Sequence, residues 1–318
     1  YTYDMIGPAP LLPSVLGANA PQINNCDMKS YGWELEMSWR DRIQKFDYGV
    51  RLVVSDNLRK ILRYPNETMA LSTYYKGQIL GDIWGYQTVG IAQTQEEMDK
   101  HLANGGTPNW GTGWGPGDIM YANIDGKDGV DSGANTLDDH GDMKIIGNNT
   151  PRYNFGLTLD GAWNGLDFSI FLQGIMKRDY MLGGPYFWGA QGDQWQSCAF
   201  GDHLDYWRPE GDPVGANTGA YYPKPYFNTD KNQRTQTRYL QNAAYIRLKN
   251  MQVGYTLPRI WTQKAGMESV RIYVSGDNLL TLSDISGVFD PELLGSDWGD
   301  GKLYPLQKTI SIGLNVNF

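Results

Sequence analysis

The chain has 318 residues, a formal net charge of -8 and a sequence pI near 4.9, which argues against a nucleic-acid partner because phosphate binding needs a basic face. With 39 Gly, 21 Tyr and 11 Trp residues and apolar residues in short alternating runs, the composition is typical of an all-β protein with long polar connections. No apolar run reaches the roughly 18 residues of a transmembrane helix, whereas a transmembrane strand needs only about 9 to 11 residues with alternate positions apolar.

The first predicted strands lie near residues 31–40 and 48–55. In the first, Tyr31, Trp33, Leu35, Met37 and Trp39 alternate with Gly32, Glu34, Glu36, Ser38 and Arg40. After a predicted turn at 41–46, the apolar phase returns at Tyr48, Val50, Leu52 and Val54. This period of two indicates strands with one apolar and one charged face, facing lipid and a wet lumen in a wide barrel, or a core and solvent in a sandwich.

Further strands are predicted along the rest of the chain. Residues 153–159 and 166–172 form a hairpin around the turn signal Asn164-Gly165. Other strands are predicted at 66–90, at 240–256 with a bulge between Leu248 and Met251, and at 269–280. The last strand alternates strictly from residue 309 and ends on Phe318 in the apolar phase.

The predicted connections are of two kinds. Those near 41–46, 162–165 and 257–268 are short, whereas those at 91–150, 176–239 and 281–304 are long, Gly- and Pro-rich and aromatic. If the terminal strand ends on the periplasmic side, every long connection is extracellular. Short turns inside and long loops outside are typical of bacterial outer-membrane barrels.

Several segments, in this order, resemble the C-terminal third of SusC/RagA-type TonB-dependent transporters. They are residues 24–41 (NNCDMKSYGWELEMSWRD), 77–95 (GQILGDIWGYQTVGIAQTQ), 141–160 (GDMKIIGNNTPRYNFGLTLD), 245–258 (YIRLKNMQVGYTLP), 270–280 (VRIYVSGDNLL), the FDPE sequence at 289–292 and the terminal YPLQKTISIGLNVNF. The resemblance covers nearly the whole chain. It implies an all-β fold, the C-terminal part of an antiparallel transmembrane β-barrel with long extracellular loops.

The resemblance also implies the rest of the assembly. A transporter of this kind has a barrel of about 22 strands, an N-terminal plug and a TonB box. Residues 1–318 include neither plug nor TonB box, and the roughly nine or ten predicted strands cannot close such a barrel, so we expect a fragment of a larger protein. The implied function is import of oligosaccharides or peptides across the outer membrane of a Gram-negative, Bacteroidetes-like cell, without catalysis. The implied partners are a SusD-type surface lipoprotein, the N-terminal remainder of the barrel and plug, the inner-membrane TonB system and membrane lipid.

Aromatic residues in the long loops are the candidate ligand contacts. They are Trp110, Trp114, Trp188, Trp195, Tyr206, Trp207, Tyr221 and Tyr222. Sugar rings stack on aromatic planes, and neighbouring Asp, Asn and Gln side chains can bond the hydroxyl groups. The same rings could equally anchor a lipoprotein partner, pack within the loops or form an interfacial girdle.

An acidic, Gly-rich stretch at residues 123–142 is a candidate metal loop. Asn123, Asp125, Asp128 and Asp131 alternate with glycines, and hard cations such as Ca²⁺ or Mg²⁺ prefer oxygen ligands on a tightly turning loop. Lys127 interrupts the register of an EF-hand, and no Glu stands at the twelfth position. The alternative is a solvated turn whose carboxylates cap their own backbone.

Catalytic motifs are missing from the sequence. His101, His140 and His203 are predicted in loops and belong to no G-x-S-x-G or H-E-x-x-H sequence. Cys26 and Cys198 form no CxxC motif, so one disulfide and two free thiols both remain open. The rival to the transporter is a soluble β-rich carbohydrate-binding or glycosidase domain, in which two sheets pack face to face.

Overall fold

The computed structural model describes residues 1–9, 21–191, 197–227, 231–295 and 300–318. Within them the strands, in chain order, are β1 (Thr2–Pro8), β2 (Gln22–Ile43), β3 (Phe46–Arg63), β4 (Asp82–Tyr86), β5 (Thr88–Ile91), β6 (Ile119–Tyr121), β7 (Met143–Asn148), β8 (Arg152–Trp163), β9 (Leu166–Lys177), β10 (Asp179–Met181), β11 (Leu240–Asn242), β12 (Tyr245–Thr256), β13 (Ser269–Ser283) and β14 (Thr309–Asn317).

Short helices are confined to the connections. The α-helices are α1 (Gln95–His101), α2 (Pro185–Trp188) and α3 (Arg259–Thr262), with a π-helical turn at Leu102–Gly106 and 3₁₀ turns at Gly201–Leu204 and Gln263–Ala265. Helix α1 begins at Thr94, whose hydroxyl accepts a hydrogen bond from the Glu97 N–H. Among the described residues, no helix has the length and apolar character needed to cross a membrane.

One antiparallel sheet of eight strands, in the order β1-β2-β3-β8-β9-β12-β13-β14, dominates the described chain. At one end, which we call the turn end, tight hairpins join β2 to β3 and β8 to β9, and the short connection with α3 joins β12 to β13. Strands β8 and β9 turn at Asn164-Gly165, where both residues have positive φ (49° and 89°), as a type I′ turn requires. The long connections all emerge at the opposite end, the loop end.

The predicted strands are largely confirmed, with three corrections. Strands β2 and β3 continue through the predicted turn at 41–46, and only Gln44 and Lys45 separate them. Residues 66–90 add no strand to the main sheet, since β4 and β5 belong to separate two-stranded sheets. The main sheet has eight strands rather than nine or ten. The predicted bulge in β12 is confirmed by a register shift between Leu248 and Asn250.

The main sheet exposes its apolar face. Trp33 is 50%, Trp39 63% and Ile312 80% exposed, and they lie on β2 and β14 in the alternating apolar phase. A sandwich would bury this face against a second sheet, so the two-sheet alternative is wrong for the described residues.

The hydrophobic core of the described chain lies in the loops. Residues of the three long connections, 64–151, 178–244 and 284–308, pack together at the loop end of the sheet. We call this cluster the loop core; its buried members are Tyr86, Ile91, Ala92, Met98, Trp114, Ile119, Met120, Tyr121, Val130, Leu182, Phe187, Trp188, Trp207, Ala220, Tyr222, Tyr239, Ala243, Ile285, Phe289 and Leu294. The aromatic residues that the sequence places in loops therefore form a packed core, where water is excluded.

Candidate functional site

The eight aromatic residues predicted to contact ligand differ in exposure. Trp114, Trp188, Trp207 and Tyr222 are buried in the loop core, whereas Trp110, Tyr206 and Tyr221 are half-buried against it. Trp195 lies outside the described residues. Ligand contact stays a prediction for all eight.

Ring-to-ring contacts hold the loop core together. The centroids of Trp188 and Tyr239, and of Tyr86 and Trp110, are each 4.7 Å apart. Such tilted and edge-on pairs stabilise a core beyond the burial of their surface. Burial raises the pKa of Tyr121 and of Tyr239, so both hydroxyls stay protonated and act as hydrogen-bond donors.

A buried ion pair joins the first long loop to the second. The Lys231 ammonium lies 2.9 Å from the Asp118 carboxylate, and their side chains are 4% and 0% exposed. Asn232 completes the link, since its side-chain amide donates to Asp118 (2.9 Å) and its oxygen accepts from the Ile119 N–H (3.0 Å). The Tyr121 hydroxyl donates to the Lys231 carbonyl at 2.9 Å. Two segments more than a hundred residues apart are thus held by paired charges that water does not screen.

A cavity of about 450 Å³ opens beside this link, within the size range of small-molecule sites. Its aromatic wall consists of Trp188, Phe200, Tyr206, Tyr222, Tyr226 and Phe227. His203, Lys224 and Asn232 are among its polar lining residues. Burial and the nearby Asp118 carboxylate raise the pKa of Tyr226, so its phenol is neutral at physiological pH. The cavity can therefore take an apolar or ring-shaped group and offer hydrogen bonds at its edge.

Three of the eight predicted aromatics, Trp188, Tyr206 and Tyr222, line this cavity together. Phe200, Tyr226 and Phe227, which complete the wall, are not among the eight. A usable signal was the sequence YYPKPYF at residues 221–227, in which two prolines stiffen an aromatic run. The other half of the wall, around Phe200, carries no pattern that distinguishes it from any loop.

The acidic loop folds around its own backbone. The Asn123 amide donates to the carbonyls of Gly105 (2.9 Å) and Gly129 (3.0 Å). Hydrogen bonds from the Lys127 backbone and ammonium groups hold the pKa of Asp125 below its ordinary value. Asp131 accepts from the Gly133 N–H at 2.7 Å. Asp128 is exposed.

The centre of this loop is Asp142, which is buried and accepts hydrogen bonds from the backbone N–H groups of Ile124, Asp125 and Asp131. In the described part of the chain, no three His, Cys, Asp or Glu side chains are grouped to hold a metal ion. Binding of Ca²⁺ or Mg²⁺ by Asn123, Asp125, Asp128 and Asp131 stays a prediction.

The third long loop is fastened to the sheet by charges. Arg247 on β12 pairs with Asp290 at 2.7 Å and with Glu292, and Lys249 pairs with Glu292 at 2.9 Å. Phe289, which directly precedes Asp290, is buried in the loop core. The FDPE sequence therefore contacts both the strand wall and the loop core.

Charges on the polar face of the sheet are paired across strands. Arg51 lies 2.8 Å from Glu36, and Arg40 lies 3.3 Å from Asp160. Arg271 on β13 contacts Asp167 on β9 in the same way.

Cys26 and Cys198 are free thiols, so the disulfide left open by the sequence does not form.

Comparison with known proteins identifies relatives over the full length of the chain. No protein-family model matches it. TonB-dependent receptor P3 of Formosa agariphila is 26% identical over 347 aligned residues, covering 100% of the chain and 31% of that receptor. TonB-dependent receptor P26 of the same organism is 25% identical, with 96% and 31% covered. The chain thus spans about a third of the length of the curated relatives it matches.

Solved structures of the RagAB transport system share this fold. The RagAB peptide transporter matches with a TM-score of 0.65 at 20% identity, covering 99% of this chain and 32% of that chain. Its "open-open" state matches with a TM-score of 0.67. The predicted resemblance to the C-terminal part of TonB-dependent receptors of the SusC/RagA type is confirmed, as is the antiparallel barrel-wall fold. These relatives are receptors and transporters rather than enzymes.

Proposed function

We propose that this chain, as the C-terminal part of a TonB-dependent receptor, supplies barrel wall and outward loops to an importer in the outer membrane of a Gram-negative, Bacteroidetes-like cell. The observation that carries the proposal is the exposed apolar face of the main sheet. The side chains of Trp33, Leu35 and Met37 on β2 are all exposed on this face. A contiguous apolar surface of this size marks an interaction with a membrane or another apolar partner.

The dimensions of the apolar face suit an outer membrane. Aromatic rings bound it, with Trp39 and Trp163 at the turn end and Tyr31, Trp33 and Tyr153 at the loop end. Eight residues separate Tyr31 from Trp39, about 26 Å along the strand or about 20 Å after a tilt of roughly 40°. Outer-membrane barrels carry an apolar band of about 25 Å between two aromatic girdles.

The remaining parts of the importer lie outside this chain. Eight strands cannot enclose a barrel of about 22, so we propose that an N-terminal remainder completes the wall and contributes the plug. In this proposal the inner-membrane TonB system supplies the work by acting on that plug.

The ligand that we propose is an oligosaccharide or a peptide, bound with the help of a SusD-type surface lipoprotein. The aromatic cavity supports an oligomer with rings or apolar side chains, and the structurally similar RagAB is a peptide transporter. Leu204 and Phe227 line the same cavity and are exposed at its mouth. Exposed apolar groups at the rim of a site favour contact with a partner protein.

Membrane insertion is tested with the full-length receptor expressed in its native host or a Gram-negative host. We expect it in the outer-membrane fraction, released only by detergent, with a gel mobility that changes on boiling. Recovery of the full-length protein in the soluble fraction would contradict the proposal.

The ligand class is tested by binding of defined oligosaccharides and defined peptides to the receptor purified with its partner lipoprotein. Tyr226→Ala and Phe227→Ala should weaken binding of the true ligand about tenfold each, because each removes an aromatic contact. Tyr74→Ala, which removes an exposed ring outside the cavity, is the control. Equal binding by all three variants would contradict a role for the cavity.

A further inference from the structure

Two lysines face each other on the outer surface of the sheet. Lys29 on β2 stands directly opposite Lys60 on β3. Both continue the apolar phase, because the preceding pairs on the same face are Trp33 with Asp56 and Tyr31 with Leu58. Like charges placed directly opposite each other destabilise a pair of strands.

Carboxylates of the described residues do not neutralise these lysines. Arg51 has a carboxylate partner on the adjacent strand, and Arg40 and Arg271 have partners two strands away. Neither Lys29 nor Lys60 forms an ion pair within the described chain. The acidic side chains next along the strands, Asp4 and Asp27, are both bound by Arg63 at 2.7 Å. Among the described residues, no carboxylate therefore compensates the repulsion between the two lysines.

The surroundings of the pair are those of a membrane interface. The Lys29 ammonium lies over the rings of Tyr1 and Tyr31, 5.5 and 5.1 Å from their centroids. Closer to the turn end, the rings of Trp33 and Tyr153 lie 6.5 Å apart beside the buried Asp56. The nearby Arg152 is paired with Asp56, whereas neither lysine has an ion-pair partner among the described residues.

We infer that Lys29 and Lys60 bind the phosphate of a lipid headgroup in the outward leaflet; the inference rests on the proposed membrane orientation of the sheet. Two residues separate Lys29 from Tyr31 at the edge of the apolar band, about 7 Å along the strand or about 5 Å after tilt. The headgroup layer is about 5 to 8 Å deep on each side of the hydrocarbon, and lysine side chains bend toward it. A phosphate between the two ammonium groups removes their repulsion.

The test compares phosphorylated lipid retained by the full-length receptor with its partner subunit, purified in an uncharged detergent and measured by native mass spectrometry. The variant Lys29→Gln/Lys60→Gln should bind an added phosphorylated lipid about thirty-fold more weakly, since each lysine near an anionic lipid contributes about a factor of five. Lys100→Gln/Lys302→Gln, which changes the charge equally in the loops, should bind like the wild type. Lys29→Arg/Lys60→Arg should also retain the lipid.

Each outcome separates the two proposals. Equal lipid binding by wild type and the double glutamine variant, with the receptor in the outer-membrane fraction, would overturn only the headgroup site. Inorganic phosphate that competes fully at millimolar concentration would assign the site to a free anion and overturn the lipid inference. A wild-type receptor that is soluble without detergent would instead contradict the proposed function. Unchanged heat-dependent gel mobility of the variants shows that they fold.

Discussion

The main sheet and the loop core place the same kinds of side chain in opposite environments. On the sheet, tryptophan, leucine and isoleucine are exposed, and the charged residues of the other face are paired across strands. In the loops, tryptophan, tyrosine and phenylalanine are buried, and a charged pair is buried with them. The loop core therefore follows the packing rule of a water-soluble protein, whereas the sheet follows its inverse.

The two regions are therefore stabilised by different interactions. Backbone ladders give the sheet its shape, and an apolar surrounding is needed to remove its outer face from water. The loop core buries its own apolar surface and needs no membrane to do so. We therefore expect mutations in one region to leave the other folded.

The largest expected effect comes from the buried pair of the loop core. Asp118→Asn removes the carboxylate 2.9 Å from the Lys231 ammonium and should destabilise the loop core by about 3–5 kcal/mol, because breaking a buried ion pair is costly. Hydrogen exchange of the full-length receptor should rise in residues 112–122 and 231–243 but stay unchanged in β8 and β9. The matched control is Asp138→Asn, an exposed carboxylate in the first loop. Faster exchange in the sheet as well would show that the two regions are not independent.

The main sheet should be destabilised by a charge placed on its apolar face. Leu35→Arg places a charge on the apolar face of β2 and should cost about 2–4 kcal/mol in a bilayer. Ser38→Arg places the same charge three residues away on the polar face and should cost less than about 1 kcal/mol. Urea unfolding in lipid vesicles measures both, with heat-dependent gel mobility as the signal. Equal losses in the two variants would contradict the assigned faces.

Local periodicity made the sheet predictable. The alternation from Tyr31 to Trp39 and the Asn164-Gly165 turn specify strands and a hairpin within a few residues of sequence. The ends of β2 and β3 were missed because residues 41–46 are mostly polar, although the ladder continues to Ile43 and Phe46. Lys29 was missed for a similar reason, since the apolar pattern stops at Tyr31 while the strand does not.

The loop core could not be predicted from the same signals. Asp118 and Lys231 meet across 113 positions, and no local pattern relates them. The sequence predicts a strand at 66–90, yet β4 and β5 join two-stranded sheets within the loops, where Tyr86 lies in the loop core. The aromatic composition indicated contact surfaces, but which rings are buried depends on tertiary packing between three loops.

A smaller effect is expected where the two regions meet. Glu292→Gln removes the charge that Arg247 and Lys249 share, and should destabilise the third loop by about 1–3 kcal/mol. Phe289 should remain in the loop core, so exchange should rise in residues 290–295 more than in 285–289. Glu67→Gln, which alters an exposed carboxylate, is the control. No change in either segment would show that the ion cluster does not fasten this loop to the sheet.

The smallest expected effect is a pH dependence confined to the loop core. Burial lowers the pKa of His101, against the opposing effects of the Tyr121 backbone and Glu97. The unfolded state has a pKa near 6.5 and binds more protons below it, so stability should fall as pH drops from about 7 toward the lower folded value. After correction for the intrinsic pH dependence of amide exchange, the protection of α1 against hydrogen exchange should therefore fall between pH 7.5 and 5.5 in the wild type and in Lys100→Gln, but less in His101→Gln. A matching fall in the protection of strands β8 and β9 would contradict a loop-core origin.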